Sequence, residues 1–298
     1  LELSGKEKIM GLFGFIGSCI SGVCSAVGSF ISGACSVFTK AVAGIAGIAT
    51  GALSVVLGPL GPILGPIITN LIIKVIGAVL SKLAKLLHIT KEEEKPEEVG
   101  YRVDEASRHE DWKKREEFAS FRDYYDYLRQ QIPDEEIDQD KLNKDSGAYR
   151  IIGSSTLYHE IGEEEGMDLP GEFMMDIGRG KLSAEEVKTI LKTFKDLKVD
   201  GKDISDYWEG NMTFREEKPI TEALRGAFAA LYPEKSKEEI NDRLDDIRSA
   251  TRGTIDNGDS LETLKRLYKD EISQMEQERA DIAKSGDSNA LREFDRVK

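Results

Sequence analysis

The chain has 298 residues, with 41 Lys and Arg against 55 Asp and Glu, and a formal net charge of −14. That balance argues against nucleic acid as a partner, because a polyanion is held by basic groups that displace its counterions. Cys19, Cys24 and Cys35 are the only cysteines, so no disulfide framework organises the remainder.

Leu1 opens the chain and the first methionine is Met10. Lys6-Glu7 can be encoded as AAGGAG, a ribosome-binding sequence at a suitable distance upstream, so residues 1–9 are expected to be a translated leader or cloning remnant. A secretory signal fits poorly, since the apolar stretch continues far beyond an h-region.

From Met10 to Ile73, sixty-four consecutive residues carry Lys40 as their only charge. Within this run Gly11, Gly14, Ser18, Gly22, Ser25, Ser29, Gly33, Ser36, Lys40, Gly44, Gly47, Gly51 and Ser54 recur at steps of three and four. On an α-helix those positions share one face. Leu12, Phe13, Ile16, Ile20, Val23, Val27 and Ile31 line the opposite, greasy face. An eleven-residue repeat, Ser18-Cys-Ile-Ser-Gly-Val-Cys-Ser25 returning as Ser29-Phe-Ile-Ser-Gly-Ala-Cys-Ser36, holds glycine in phase at Gly11, Gly22, Gly33 and Gly44. Eleven residues are close to three helical turns, so copies can run side by side in register. The small face is therefore expected to be a helix-packing seam. Eleven Leu, Ile, Val and Phe residues between Gly11 and Thr39 are worth about −3 to −6 kcal/mol of insertion before the Gly and Ser costs. Such marginal insertion suits a protein that oligomerises on arrival. Cys24 and Cys35 lie about 16 Å apart along a helix, out of disulfide reach, and read as small apolar fillers.

Three X-Pro steps follow in Gly58-Pro59-Leu-Gly61-Pro62-Ile-Leu-Gly65-Pro66. Pro59, Pro62 and Pro66 predict a hinge, because each removes a backbone donor and disfavours helix in the residue before it. Pro66 to Ile89 is then expected to span a bilayer, ending with Lys82 and Lys85 at a membrane interface.

Composition changes sharply near residue 90. Residues 1–90 carry +4, six lysines against two acids, which leaves −18 for residues 91–298. The hydrophobic region is thus expected over 10–90, a solvated charged linker over 91–99, and an acidic all-helical soluble domain over 100–298. Phe118, Phe121, Tyr125, Leu128 and Ile132 step by three and four up to Pro133, and Val187, Ile190, Leu191, Phe194 and Leu197 do so behind a Ser183 cap. Ile220, Leu224, Phe228 and Leu231 follow Pro219, a Ser236/Glu239 capping box opens a further helix, and Leu261, Leu264, Tyr268, Ile272 and Met275 line one more. Only Tyr149 to Ile152 hints at period two. The fold class expected is all-α.

Little chemistry is visible. His159-Glu160 lacks a second histidine four residues after the first, where Glu163 stands, so metal ligation by His159, Glu160 and Glu163 gives way to a solvated helix face. Around Asp200-Gly201 a calcium loop fails because Lys198 and Tyr207 occupy ligand positions. Gly178-Arg-Gly180 is too short for a phosphate loop. With no catalytic, metal or cofactor-binding residues to nominate, the expectation is a non-enzyme.

Two readings explain the seam. In the first, the chain is a membrane-inserting, oligomerising effector or toxin of bacterial or phage origin, whose Gly/Ser faces pack into a channel. Its partners are then the lipid bilayer, further copies of itself and a delivery or chaperone partner bound through the acidic domain, which lies on the cytoplasmic side. In the alternative, it is a structural component of a phage-like or secretion assembly with its apolar helices packed in a protein tube or shell. The absence of Trp and Tyr before Tyr101 favours the alternative, since settled membrane helices carry interfacial aromatics.

Overall fold

A computed structural model describes residues 61–252 and 258–286, together with 288 and 291. The seam residues from Gly11 to Gly51, and Pro59 of the hinge, lie outside these. Among the described residues the protein is all-α, without a strand. In chain order the helices are α1 (Gly61–Leu86), α2 (Pro96–Arg108), α3 (Phe121–Gln131), α4 (Gln139–Lys144), α5 (Ser146–Glu165) and α6 (Gly171–Arg179). They continue as α7 (Ala184–Leu197), α8 (Asp203–Glu209), α9 (Phe214–Leu231), α10 (Lys237–Thr251), α11 (Gly258–Leu267) and α12 (Lys269–Ser285).

The largest departure from expectation is α1. Among the described residues no helix is long and apolar enough to cross a membrane, and α1 packs against α5, α6 and α7 in the centre of the bundle. Leu71, Ile72, Ile73, Ile76, Val79, Leu80, Leu83 and Ala84 are all buried there. A helix apolar on most of its surface is satisfied by protein as well as by lipid, and its sequence alone does not distinguish the two. The division expected near residue 90 accordingly falls inside one packed unit. Of the three prolines expected to form a hinge, Pro62 and Pro66 lie in the first two turns of α1, which begins at Gly61. Pro62 gives up only an N–H that the first turn leaves unpaired, whereas Pro66 forfeits one helical bond.

His88 ends α1 in the left-handed region (φ 61°). The Ile89 N–H bonds the Ala84 carbonyl at 2.8 Å and the His88 N–H bonds the Lys85 carbonyl at 3.0 Å, closing the last turn as a Schellman motif. The chain then folds back immediately. Far from being a solvated linker, residues 91–99 place buried Glu94 under α1, where its carbonyl accepts from the Ser81 hydroxyl, and start α2 at Pro96.

α5 is the second central helix, and nearly its whole circumference is covered. Its buried residues include Tyr149, Ile151, Gly153, Ser154, Ser155, Leu157 and Ile161. That is why neither helical nor strand periodicity shows there, and Tyr149 to Ile152 is helical. α2 crosses α5 with the backbones touching at Gly100 and Gly153.

The later helices follow their sequence signals more closely. Ser183 and Glu186 cap α7, and Ser236 and Glu239 cap α10, each as a full capping box. α3 takes Ser120 as its cap and stops before Pro133. α9 starts at Phe214 behind a Thr213/Glu216 box and carries Pro219 inside it. The Arg215 carbonyl, which loses its donor to that proline, belongs to an exposed residue. The expected last helix is two, α11 and α12, broken at Tyr268, whose buried hydroxyl donates to the Gly178 carbonyl. Arg243 ties α10 to α7 through two 2.8 Å bonds to buried Glu186. Removing one partner of such a buried pair costs about 3–5 kcal/mol.

Candidate functional site

The exposed positions of the second apolar run fall on one line. Lys74, Ala78, Lys82 and Lys85 are the exposed positions of α1 between 71 and 85, spaced four, four and three as a single helical stripe requires. Lys82, expected at a membrane interface, pairs with Glu185 of α7 at 2.8 Å, and both side chains are nearly half exposed. This hydrogen bond to Glu185 raises the Lys82 pKa, yet a pair so open to water contributes well under about 1 kcal/mol. Lys85 stands exposed in the last turn of α1, where a cation complements the helix dipole. One turn further, Lys188 of α7 donates to the Leu86 carbonyl at 3.4 Å.

On the other side, the turn after α1 is held by an ionic clasp. Arg129 of α3 approaches the Glu94 carboxylate at 3.1 Å, and the Tyr125 hydroxyl donates to the same carboxylate at 3.4 Å. Fully buried Arg102 of α2 donates to the Ile132 carbonyl and to the Tyr125 hydroxyl, both at 3.0 Å, and pairs with Asp134. Asp134 also receives Arg129 at 3.1 Å. Burial raises the Glu94 pKa, opposed by Arg129 and Arg102. The clasp fixes how the chain leaves α1.

A cleft of about 470 Å³ opens where α5 gives way to α6. Tyr158, Leu169 and Met174 contribute apolar surface, and His159, Glu163 and Asp168 contribute polar groups. Tyr158 is buried, donates to the Pro170 carbonyl and has its pKa pushed up by that burial. Glu160, adjacent in sequence, turns away into a two-point pair with Arg115 at 3.0 and 2.9 Å. His159, Glu160 and Glu163 are therefore not assembled as ligands, and among the described residues no group of three or more His, Cys, Asp or Glu is placed to hold a metal. Lys198 caps α7 in the left-handed conformation, so the Asp200-Gly201 segment belongs to a helix-ending turn. Gly178 and Arg179 end α6, with Gly178 against Ile72 and Ile76 of α1.

One further buried polar group has no visible task in the cleft. Asp176 of α6 is 1% exposed, and burial raises its pKa well above the ordinary range against the opposing charge of Arg179. The clasp, this carboxyl and the Gly100–Gly153 crossing escaped the sequence reading because their partners lie tens of residues apart in the chain. No family model, characterised protein or solved structure matches the chain.

Proposed function

We propose that this chain is a membrane-inserting, oligomerising protein without enzymatic activity, in which the Gly/Ser face from Gly11 to Gly51 packs copies into a pore. The single observation that carries the reading is the run from Met10 to Ile73 with Lys40 as its only charge. Because α1 belongs to the bundle core, this reading assigns insertion to residues 10–60 and keeps the bundle outside the bilayer. Among the residues whose side chains are described, the exposed large hydrophobics are Leu197 and Phe214, which supports a bundle that does not itself enter lipid. On this reading the protein acts as an effector or toxin of bacterial or phage origin, located at a membrane.

Flotation with liposomes, with dye release in parallel, tests it. Co-flotation with leakage is expected, and a chain that does not float returns the reading to the tube or shell component. Replacing Gly22 and Gly33 with Leu raises apolarity while inserting bulk at the seam. Membrane binding should persist while oligomers and leakage are lost. Unchanged oligomers and leakage would remove the seam from the mechanism.

A further inference from the structure

Between Glu7 and Glu92 there is not one acidic residue, although the chain holds 55 Asp and Glu. Lysines do occur in that interval, and those at 74, 82 and 85 are brought to one exposed stripe of α1. α7 packs beside α1 and extends the stripe, because Lys188 reaches the Leu86 carbonyl and Lys192 follows one turn later. Glu185 pairs with Lys82 and Asp196 with Lys192, and Glu93 acts on Lys82 from the following turn. Lysines on a helix lay their aliphatic stems along the surface and extend their charges outward, and Ala78 leaves the centre of the stripe low.

We propose that the lysine stripe of α1, extended by Lys188 of α7, is the face by which the bundle lies against an anionic lipid surface. This rests on the membrane-insertion reading and deepens it. The placement is consistent with the chain's order, because α1 begins at Gly61, directly after the residues 10–60 proposed to insert, and its stripe is carried by the element nearest the point of insertion. The rest of the chain carries a large negative charge and would be repelled by the same surface. The stripe therefore sets the orientation of the bundle: α1 and α7 face the headgroups. An anionic surface attracts each nearby lysine modestly and within a Debye length, so the gain expected is about tenfold in partitioning and is lost at high salt.

The test uses the full chain with two kinds of vesicle, phosphatidylcholine alone and phosphatidylcholine with about a third phosphatidylglycerol, at low and high salt. The parent should bind anionic vesicles about tenfold more tightly at low salt and equally at high salt. A Lys82→Glu/Lys85→Glu/Lys188→Glu variant should lose this preference while keeping its binding to neutral vesicles and its circular dichroism. The corresponding Lys→Gln variant should fall between them, which guards against a folding defect in the charge reversal. A control of equal charge change on other faces, Lys144→Glu/Lys218→Glu/Lys237→Glu, should keep most of the preference. Equal binding of the parent to both vesicles, or equal loss in the control, overturns the stripe and leaves membrane insertion standing. A parent that binds neither vesicle overturns both.

Discussion

Gly100 of α2 and Gly153 of α5 meet backbone to backbone: a Cβ added to either would lie 2.9 Å from the other's amide nitrogen. A Cβ at Gly100 would lie 1.9 Å from the Tyr149 carbonyl oxygen, and one at Gly153 would lie 1.8 Å from the Pro96 carbonyl oxygen. Both obstacles are backbone atoms, which cannot rotate aside. The crossing is flanked by the Tyr101 and Tyr149 rings, edge to face at 5.4 Å, and by Gly77 of α1, whose added Cβ would meet Pro96 and the Ser154 hydroxyl. Three helices thus meet on glycine, the close-packing device expected for the amino-terminal run, but here inside the bundle.

Gly100→Ala and Gly153→Ala should each destabilise the fold by at least about 3 kcal/mol, the upper end for overpacking, since the clash is with main chain. Gly226→Ala is the matched control. It sits inside α9 with nothing within 4 Å of an added Cβ, so it should gain about 0.5–1 kcal/mol from the higher helix propensity of Ala. Denaturant midpoints by circular dichroism decide the matter, and equal effects at all three positions would contradict the crossing.

The packing of α1 makes a second prediction. Ile72, Ile76, Leu80 and Leu83 are completely buried, and at about 1.5–3 kcal/mol each their burial contributes about 6–12 kcal/mol. That sum is comparable to the whole stability of a typical domain. A fragment of residues 61–298 should therefore unfold cooperatively, whereas residues 100–298 should not, and should bind a hydrophobic dye. Cooperative melting of the shorter fragment would show that α1 is dispensable.

Glu94 supplies a pH dependence whose sign is fixed by its burial. The folded-state pKa is raised, with desolvation outweighing Arg129 and Arg102, so the folded protein keeps this proton to higher pH than the unfolded chain does. The stabilising contribution is intact below about pH 4.3, the unfolded value, and is lost as pH rises through the folded pKa. Glu94→Gln removes that loss. The melting temperature of the variant minus that of the parent should increase from about pH 4 to about pH 7. A difference that stays constant, or falls, would place the carboxylate in a more favourable site than the clasp describes.

Several elements are legible in the sequence because their determinants are local. The Ser183/Glu186 and Ser236/Glu239 boxes satisfy their own first-turn donors, and the apolar steps from Val187 to Phe194 need only one buried face. α5 was not legible: a stretch containing Gly153, Ser154, Ser155 and Thr156 looks polar, yet all four are buried because neighbouring helices approach closely enough to enclose them. Pro219 misled for a related reason. A proline early in a helix can sit behind a stronger upstream cap, here Thr213 with Glu216.

By itself the sequence determined that this protein is helical and that it joins a long uncharged Gly/Ser-patterned run to an acidic remainder, because helical periodicity, capping and charge are properties of near neighbours. Tertiary structure alone decided where the apolar material after residue 61 goes. Burial of α1 depends on the Gly77, Gly100, Gly153 and Gly178 approaches and on a clasp joining Glu94, Arg102, Arg129 and Asp134. Those contacts connect positions up to about a hundred residues apart, and a hydrophobic helix carries no mark of whether its neighbour will be lipid or protein.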